Sequence, residues 1–204
     1  AAALLVLAIA PAARAAGPVL NISKQAPATQ LYGTQAQVRV TASVPAGDPG
    51  GPGYNLTLRD VLPPGVTYVA GSTTGSSEPR VIHDAPGLGQ TTLIWSNVAD
   101  VFPGSQVELR YRVGHRTSDD PAPHLQVQDT YTNALTGYVN TNPRDLAKFA
   151  ADGTAIAGSY SSSGSSSATT RLTAIRIDKA EPSPEGEILR GARRSHGVSL
   201  RLKN

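Results

Sequence analysis

The segment YNLTLRDVLPPGVTYVAGS, residues 54–72, predicts two β-strands separated by a proline-rich turn. In the first strand Leu56, Leu58 and Asp60 occupy alternate positions, so their side chains point to the same face. Two consecutive prolines then interrupt strand pairing, because proline has no N–H to donate to a sheet. The second strand, VTYVAGS, follows the turn. An acidic residue therefore lies on the face that the two leucines should direct into a core.

The same alternation of apolar and polar residues continues along the chain on both sides of this segment. It recurs in residues 20–25, 36–44, 91–98, 106–113 and 129–139. The 204 residues include 20 Gly and 16 Pro but only 5% aromatic residues, a composition typical of short strands joined by turns. Trp95, the only tryptophan, is expected to anchor the core. The sequence therefore predicts an all-β fold, a sandwich of about 7–9 strands.

Two segments depart from this alternation. Residues 142–153, NPRDLAKFAADG, place a proline at a first-turn position and a glycine at the end, which predicts a short helix or a structured loop. Residues 159–170, SYSSSGSSSATT, are rich in serine and glycine, which predicts a hairpin tip or a mobile loop.

The first residues indicate export. The apolar run ALLVLAIA, residues 3–10, has the length of a signal-peptide core and is too short to span a bilayer. Ala13-Arg14-Ala15 fits the small-x-small pattern of a cleavage site. We therefore interpret residues 1–15 as the remnant of a signal peptide, with an Ala-rich disordered lead as the alternative. A secreted or cell-surface protein is expected.

Charge and cysteine content narrow the possible partners and the means of stabilisation. The net charge of +3 comes from scattered arginines without an aromatic-interleaved basic stripe, so nucleic acid is not expected as a partner. No membrane contact is expected beyond the export signal. The chain has no cysteine, so an exported form must be stabilised by something other than disulfides.

The end of the chain repeats its beginning. Ile175, Ile177 and Lys179 follow the spacing of Leu20, Ile22 and Lys24, and the later pattern of Val198, Leu200 and Leu202 matches the strand that contains Val38. We therefore predict one complete sandwich domain at residues 18–174 and the truncated beginning of a second tandem repeat at residues 175–204. Neighbouring repeats of the same chain are the expected partners.

These segments together resemble a known group of bacterial surface domains. The pattern D-x-L-P-x-G-x-x-Y followed by Gly-Ser occurs from Asp60 to Ser72, and it is accompanied by PGSQVELRYRV and YTNA further along. The chain thus resembles the surface repeats called domain of unknown function 11 and is similar to the isopeptide-forming fimbrial D2-type domains. The resemblance implies an immunoglobulin-like or prealbumin-like sandwich in a stalk, fimbrial or adhesin protein.

Three polar residues occupy the apolar phase of separate strands: Lys24, Asp60 and Asn133. Because isolated charges are costly to bury, such groups must pair, lose their charge or react. In the domains that this chain resembles, a lysine amine attacks an asparagine carboxamide with the help of a buried acid. The resemblance therefore implies a Lys24–Asn133 isopeptide bond, with Asp60 as the assisting acid that hydrogen-bonds the Asn133 carbonyl. Desolvation would supply the neutral amine.

Residue usage favours this chemistry, although other interpretations stay open. Among 14 Arg and four Lys, both repeat-opening strands use lysine, at Lys24 and at the equivalent Lys179, and an arginine cannot readily deprotonate to become a nucleophile. The alternatives are an unreacted polar cluster, in which Lys24 and Asp60 form an ion pair, and no contact among the three residues.

Other functions have weaker support in the sequence. The four histidines lack metal-ligand spacing, so neither a metal nor another cofactor is expected. An enzyme acting on an external substrate is not expected, because no catalytic constellation lies among the loops. The alternative function is a ligand-binding module without a crosslink, which would bind carbohydrate, cell wall or host matrix through residues 45–53 or 140–165.

Overall fold

The computed structural model describes residues 17–116, 125–174, 176–180 and 199–203. The predicted signal peptide, residues 1–15, lies outside the described residues. Much of the predicted second repeat, residues 181–198, lies outside them as well. Within the described part of the chain, no helix is long and apolar enough to cross a membrane.

In the described residues, ten strands form two sheets, and two further strands form a separate two-stranded sheet. The strands are β1 Asn21–Gln25, β2 Thr29–Leu31, β3 Ala36–Ser43, β4 Tyr54–Leu62, β5 Val66–Tyr68, β6 Arg80–His83, β7 Thr91–Trp95, β8 Gln106–His115, β9 Thr130–Asn140, β10 Ser162–Thr173, β11 Arg176–Ala180 and β12 Ser199–Lys203. The four-stranded sheet has the order β1-β3-β8-β5, and the six-stranded sheet has the order β2-β10-β9-β4-β7-β6. The prediction of an all-β sandwich is confirmed.

The proline-rich turn in residues 54–72 carries the chain from one sheet to the other. β4 lies in the six-stranded sheet, whereas β5 pairs with β8 in the four-stranded sheet. Because the prolines end β4 before it can form a hairpin with β5, the two strands can pack face to face. This crossing places the inward face of β4, with Asp60, opposite the four-stranded sheet.

The core lies between the sheets and follows the predicted alternation. Every second residue of β3, from Ala36 to Ala42, is buried, and β8 contributes Leu109, Tyr111 and Val113. Trp95 is fully buried, so its predicted role as a core anchor is confirmed. The alternation that turns the apolar side chains inward also turns the polar side chains of the candidate site inward, so they are buried as well.

For each of the two irregular segments, the structure rules out at least one of the predicted alternatives. Residues 159–170 are neither a hairpin tip nor a mobile loop: most of them belong to β10, which pairs with β9 over ten residues. Residues 142–153 form a structured loop and no helix, with Phe149 packed against Tyr138. The sequence does not predict β10 or the short strands β2 and β6, and these three strands account for the higher strand count.

The small side chains of β10 are explained by the close approach of β1. Gly164 of β10 pairs with Gly137 of β9, and both face β1. A Cβ on Gly137 would lie 2.6 Å from Ile22 Cδ1, and a Cβ on Gly164 would collide with the backbone carbonyl oxygen of Leu20. Ser166 contributes a hydroxyl oxygen that accepts the Lys24 backbone N–H at 3.1 Å. Serine and glycine here let the two sheets meet along β1.

Substitution of Gly164 tests this close approach. We expect Gly164→Ala to lower the free energy of unfolding by about 1–3 kcal/mol, because the added methyl group must displace β1. The matched control is Ser165→Ala at the adjacent exposed position, which should change stability by no more than about 0.5 kcal/mol. Urea unfolding of both variants measures the difference. Equal stability of Gly164→Ala and the wild type would contradict the proposed packing.

Candidate functional site

A buried polar cluster lies between the two sheets and centres on Asp60. Lys24 comes from β1 in the four-stranded sheet, whereas Asp60 and Asn133 come from the neighbouring strands β4 and β9 of the six-stranded sheet. Asp60 pairs with Leu135, so Asn133 is its diagonal neighbour on the same inward face. The relative exposures of Lys24, Asp60 and Asn133 are 5%, 0% and 2%. The structure therefore brings together the three residues that the sequence singles out.

The Asp60 carboxylate bridges the other two side chains. Its Oδ1 lies 2.6 Å from Lys24 Nζ, and both side chains are fully buried. Its Oδ2 accepts a hydrogen bond from Asn133 Nδ2 at 3.3 Å. The ion pair and the carboxamide are thus held on the two oxygens of one carboxylate. This arrangement excludes the interpretation in which the three residues make no contact.

A fourth residue, Tyr111, completes the cluster. Nothing in the sequence distinguishes it from the other inward residues of β8, so its role in the site is not predicted. Its hydroxyl donates a hydrogen bond to Asp60 Oδ2. Its ring packs against Trp95 at a centroid distance of 4.9 Å and against Tyr68 at 6.3 Å. The aromatic packing holds the hydroxyl on the carboxylate.

Burial dominates the electrostatics of the cluster. Desolvation lowers the pKa of Lys24 from its ordinary value of 10.5, although the charge and hydrogen bond of Asp60 oppose that change. Burial and the nearby Asp60 charge raise the pKa of Tyr111 well above its ordinary value of 10.0. The neutral form of Lys24 is therefore more accessible than in water, and Tyr111 keeps its proton and acts as a donor.

The Asn133 carboxamide is oriented differently from the expectation. The sequence predicts a hydrogen bond from Asp60 to the Asn133 carbonyl oxygen. In the structure Asp60 Oδ2 instead accepts from the Asn133 amide nitrogen, while Asp60 Oδ1 contacts Lys24. The carbonyl oxygen, Oδ1, is buried and has no hydrogen-bond partner. Asp60 therefore contacts the nitrogen that would leave in an amide transfer.

Lys179, the lysine predicted to be equivalent in a second repeat, lies in β11. Its backbone partner is Leu200 of β12, whereas Lys24 is paired with Val40 of β3. Two residues earlier, Ile177 is paired with Leu202 as Ile22 is with Ala42. The two lysines thus occupy the same register position in two similar strand pairs.

One of the two segments considered for ligand binding, residues 140–165, forms an open groove. Its volume is about 670 Å³, and its lining includes Arg144, Lys148, Ile156 and Tyr160. The alternative of a ligand-binding module stays a prediction, both for this groove and for residues 45–53. In residues 17–116 and 125–174, no group of three or more His, Cys, Asp or Glu residues is arranged to hold a metal ion.

Comparisons with known proteins give only weak likenesses. No family model matches this chain, and no curated protein matches it. Among solved structures, AvmM, which catalyses macrocyclization in alchivemycin A biosynthesis, has a TM-score of 0.41 at 12% identity, over 78% of this chain and 89% of that chain. The T6 backbone pilin of serotype M6 Streptococcus pyogenes has a TM-score of 0.41 at 11% identity, over 80% of this chain and 37% of that one.

The full-length major pilin SpaD from Corynebacterium diphtheriae has a TM-score of 0.43 at 10% identity. The match covers 83% of this chain and 39% of SpaD, so the chain spans well under half the length of either pilin. At such low scores these likenesses carry no conclusion about function, which must be argued from the chain's own residues.

Removal of the Lys24 charge tests the buried ion pair. In an Asn133→Ala background, where no crosslink can form, we expect Lys24→Met to cost about 3–5 kcal/mol, because Asp60 is left charged and unpaired. Adding Asp60→Asn should recover much of this loss, since the remaining side chain is neutral. Urea unfolding of the four proteins of this double-mutant cycle measures the coupling energy.

The control for this cycle is the exposed pair between Arg39 and Glu108, whose atoms Nη2 and Oε2 lie 2.5 Å apart. Arg39→Met in the same background should change stability little, because solvent screens exposed charges. A coupling energy between Lys24 and Asp60 near zero would show that the buried pair does not constrain the fold.

Proposed function

We propose that this chain is a structural module, a stalk or adhesin repeat, of a secreted or cell-surface bacterial protein, stabilised by an intramolecular isopeptide bond between Lys24 and Asn133. The observation that carries the proposal is the convergence of these two residues on the buried Asp60 carboxylate between the two sheets. The reaction is autocatalytic and occurs once per domain, so no external substrate is involved.

The proposed chemistry follows from the contacts of Asp60. Lys24 gives one proton to Asp60 Oδ1 and becomes a neutral amine. The amine attacks Asn133 Cγ, the C–Nδ2 bond breaks, and the second proton of the amine passes to the leaving nitrogen. The ion pair and the carboxamide thereby become a neutral amide, a protonated Asp60 and ammonia, so atoms and charge balance. Desolvation favours this direction, because the products carry no buried charge.

The proposed bond would join the two sheets covalently. It would connect β1 of the four-stranded sheet with β9 of the six-stranded sheet. Closing a loop of about 110 residues would contribute on the order of 4–5 kcal/mol by restricting the unfolded chain. A chain without cysteine would gain in this way the kind of stabilisation that disulfides give to other exported proteins.

The register of β11 and β12 supports the proposal of tandem repeats. Lys179 pairs with Leu200 as Lys24 pairs with Val40. Ile177 pairs with Leu202 as Ile22 pairs with Ala42. We therefore assign residues 18–174 to one domain and residues 175–204 to the beginning of a second, with Lys179 as its crosslinking lysine. Neighbouring repeats are the partners that this organisation implies.

Intact-mass measurement tests the crosslink. We expect the wild-type chain to weigh less than its sequence predicts by one ammonia, because the bond forms with the loss of Asn133 Nδ2. Fragment mass spectrometry should locate the deficit in a branched peptide that joins Lys24 to Asn133. The variants Lys24→Arg and Asn133→Ala should show the full mass.

The matched control for these variants is Lys148→Arg, which changes an exposed lysine far from the cluster and should retain the deficit. A full mass for the wild type, or a deficit that persists in Lys24→Arg, would exclude the proposed bond.

The pH dependence of crosslinking follows from the proposed proton transfer and the lowered pKa of Lys24. Asp60 takes the Lys24 proton inside the cluster, so the rate should be constant with pH while the ion pair is intact, and it should fall once Lys24 loses its proton to solvent, because Asp60 then stays charged. Because burial lowers the pKa of this lysine, the fall should begin below pH 10.5. Chains made by cell-free translation, folded at different pH values and sampled by intact mass, give the profile. A rate that rises through this range would contradict proton transfer within the pair.

A further inference from the structure

The Tyr111 hydroxyl has no role in the amide transfer as described so far. From its position we infer that Tyr111 donates the hydrogen bond that stabilises the Asn133 carbonyl oxygen while Lys24 attacks, a role that rests on the proposed crosslink. The starting observation is that hydrogen-bond donors are unevenly shared between the two acceptor groups of the site. The Asp60 carboxylate receives three donors, from Lys24, Tyr111 and Asn133, whereas Asn133 Oδ1 receives none.

The unpartnered oxygen is the atom on which charge develops. Attack on Asn133 Cγ moves the C=O electron pair onto Oδ1, and an oxyanion in a buried site requires a donor. A half-turn of the carboxamide exchanges Oδ1 and Nδ2, which have nearly the same shape. Oδ1 then takes the place of Nδ2 beside Asp60 Oδ2, the same oxygen that the Tyr111 hydroxyl contacts.

Proton transfer from Lys24 makes this exchange favourable. While Asp60 is ionised, Tyr111 donates to the carboxylate. The amide nitrogen of Asn133 then lies beside Asp60 Oδ2, because it too can donate to the carboxylate. Once Asp60 has taken the Lys24 proton it is a weaker acceptor, and the hydroxyl can donate to Oδ1 instead. Tyr111 therefore changes its hydrogen-bond acceptor in the same step that produces the nucleophile.

Two features make Tyr111 suited to this role. Its ring is held by Trp95 and Tyr68, so only the hydroxyl hydrogen has to turn from Asp60 to Asn133 Oδ1 when charge develops. Its hydroxyl keeps the proton throughout the physiological range, because burial and the Asp60 charge both raise its pKa. In the balanced reaction Tyr111 neither gains nor loses a proton. It supplies only a hydrogen bond.

The test compares two conservative variants that each remove one buried hydroxyl. Tyr111→Phe keeps the ring but removes the proposed donor. Tyr131→Phe is the matched control, because the Tyr131 hydroxyl donates to Gln30 Oε1 at 2.8 Å, outside the cluster. Full-length chains from cell-free translation are folded and sampled over time by intact mass. We expect Tyr111→Phe to lose ammonia on the order of 10²-fold more slowly than the wild type, and Tyr131→Phe to react at close to the wild-type rate.

A stability measurement separates the proposed role from simple loss of structure. In the Asn133→Ala background both tyrosine substitutions should lower the midpoint of urea unfolding by similar amounts, because each removes one buried hydrogen bond. A slow reaction of Tyr111→Phe without a larger loss of stability supports the inference. Wild-type rates for Tyr111→Phe, or equal slowing by Tyr131→Phe, would overturn it. A wild-type chain that never loses ammonia would instead disprove the proposed function.

Discussion

The ion pair between Lys24 and Asp60 is the constraint on which the arrangement of the sandwich depends. Neither charge tolerates dehydration alone, so β1 must lie where the lysine ammonium can reach the carboxylate of β4 across the interior. The register of β1 on β3 is fixed by this requirement, since a shift of one residue would turn Lys24 to solvent and leave Asp60 unpaired. One buried contact thus specifies how the first strand joins the fold.

The composition of β10 follows from the same constraint. For β1 to bring Lys24 to Asp60, its backbone must pass close to β10, and the glycines and serines of that strand leave the necessary space. A tract that by composition alone is typical of a mobile loop is here a strand paired over ten residues. Small side chains are required by packing at this position, and the low complexity of the sequence is a consequence of that packing.

The sequence allowed the strands and three members of the cluster to be predicted, because both depend on local alternation. Lys24, Asp60 and Asn133 each break an apolar pattern, and that break is visible in one strand at a time. Tyr111 was missed because an inward tyrosine fits the pattern, and only the pairing of β8 with β3 brings its hydroxyl to Asp60. β10 was missed because serine and glycine give no apolar period, and its pairing depends on β1 and β9.

The packing along β1 also explains why a covalent bond would be useful at this place. β1 pairs with β3 on one side only, and on the other it meets the serines and glycines of β10. Burial of apolar area stabilises by about 25 cal/mol per Å², so a contact made of small polar side chains contributes little. The close approach that brings Lys24 to Asp60, beside Asn133, therefore adds little apolar burial along this edge of β1. A bond from Lys24 to Asn133 would fasten β1 to β9 along the same edge, where the noncovalent contacts with β10 contribute little.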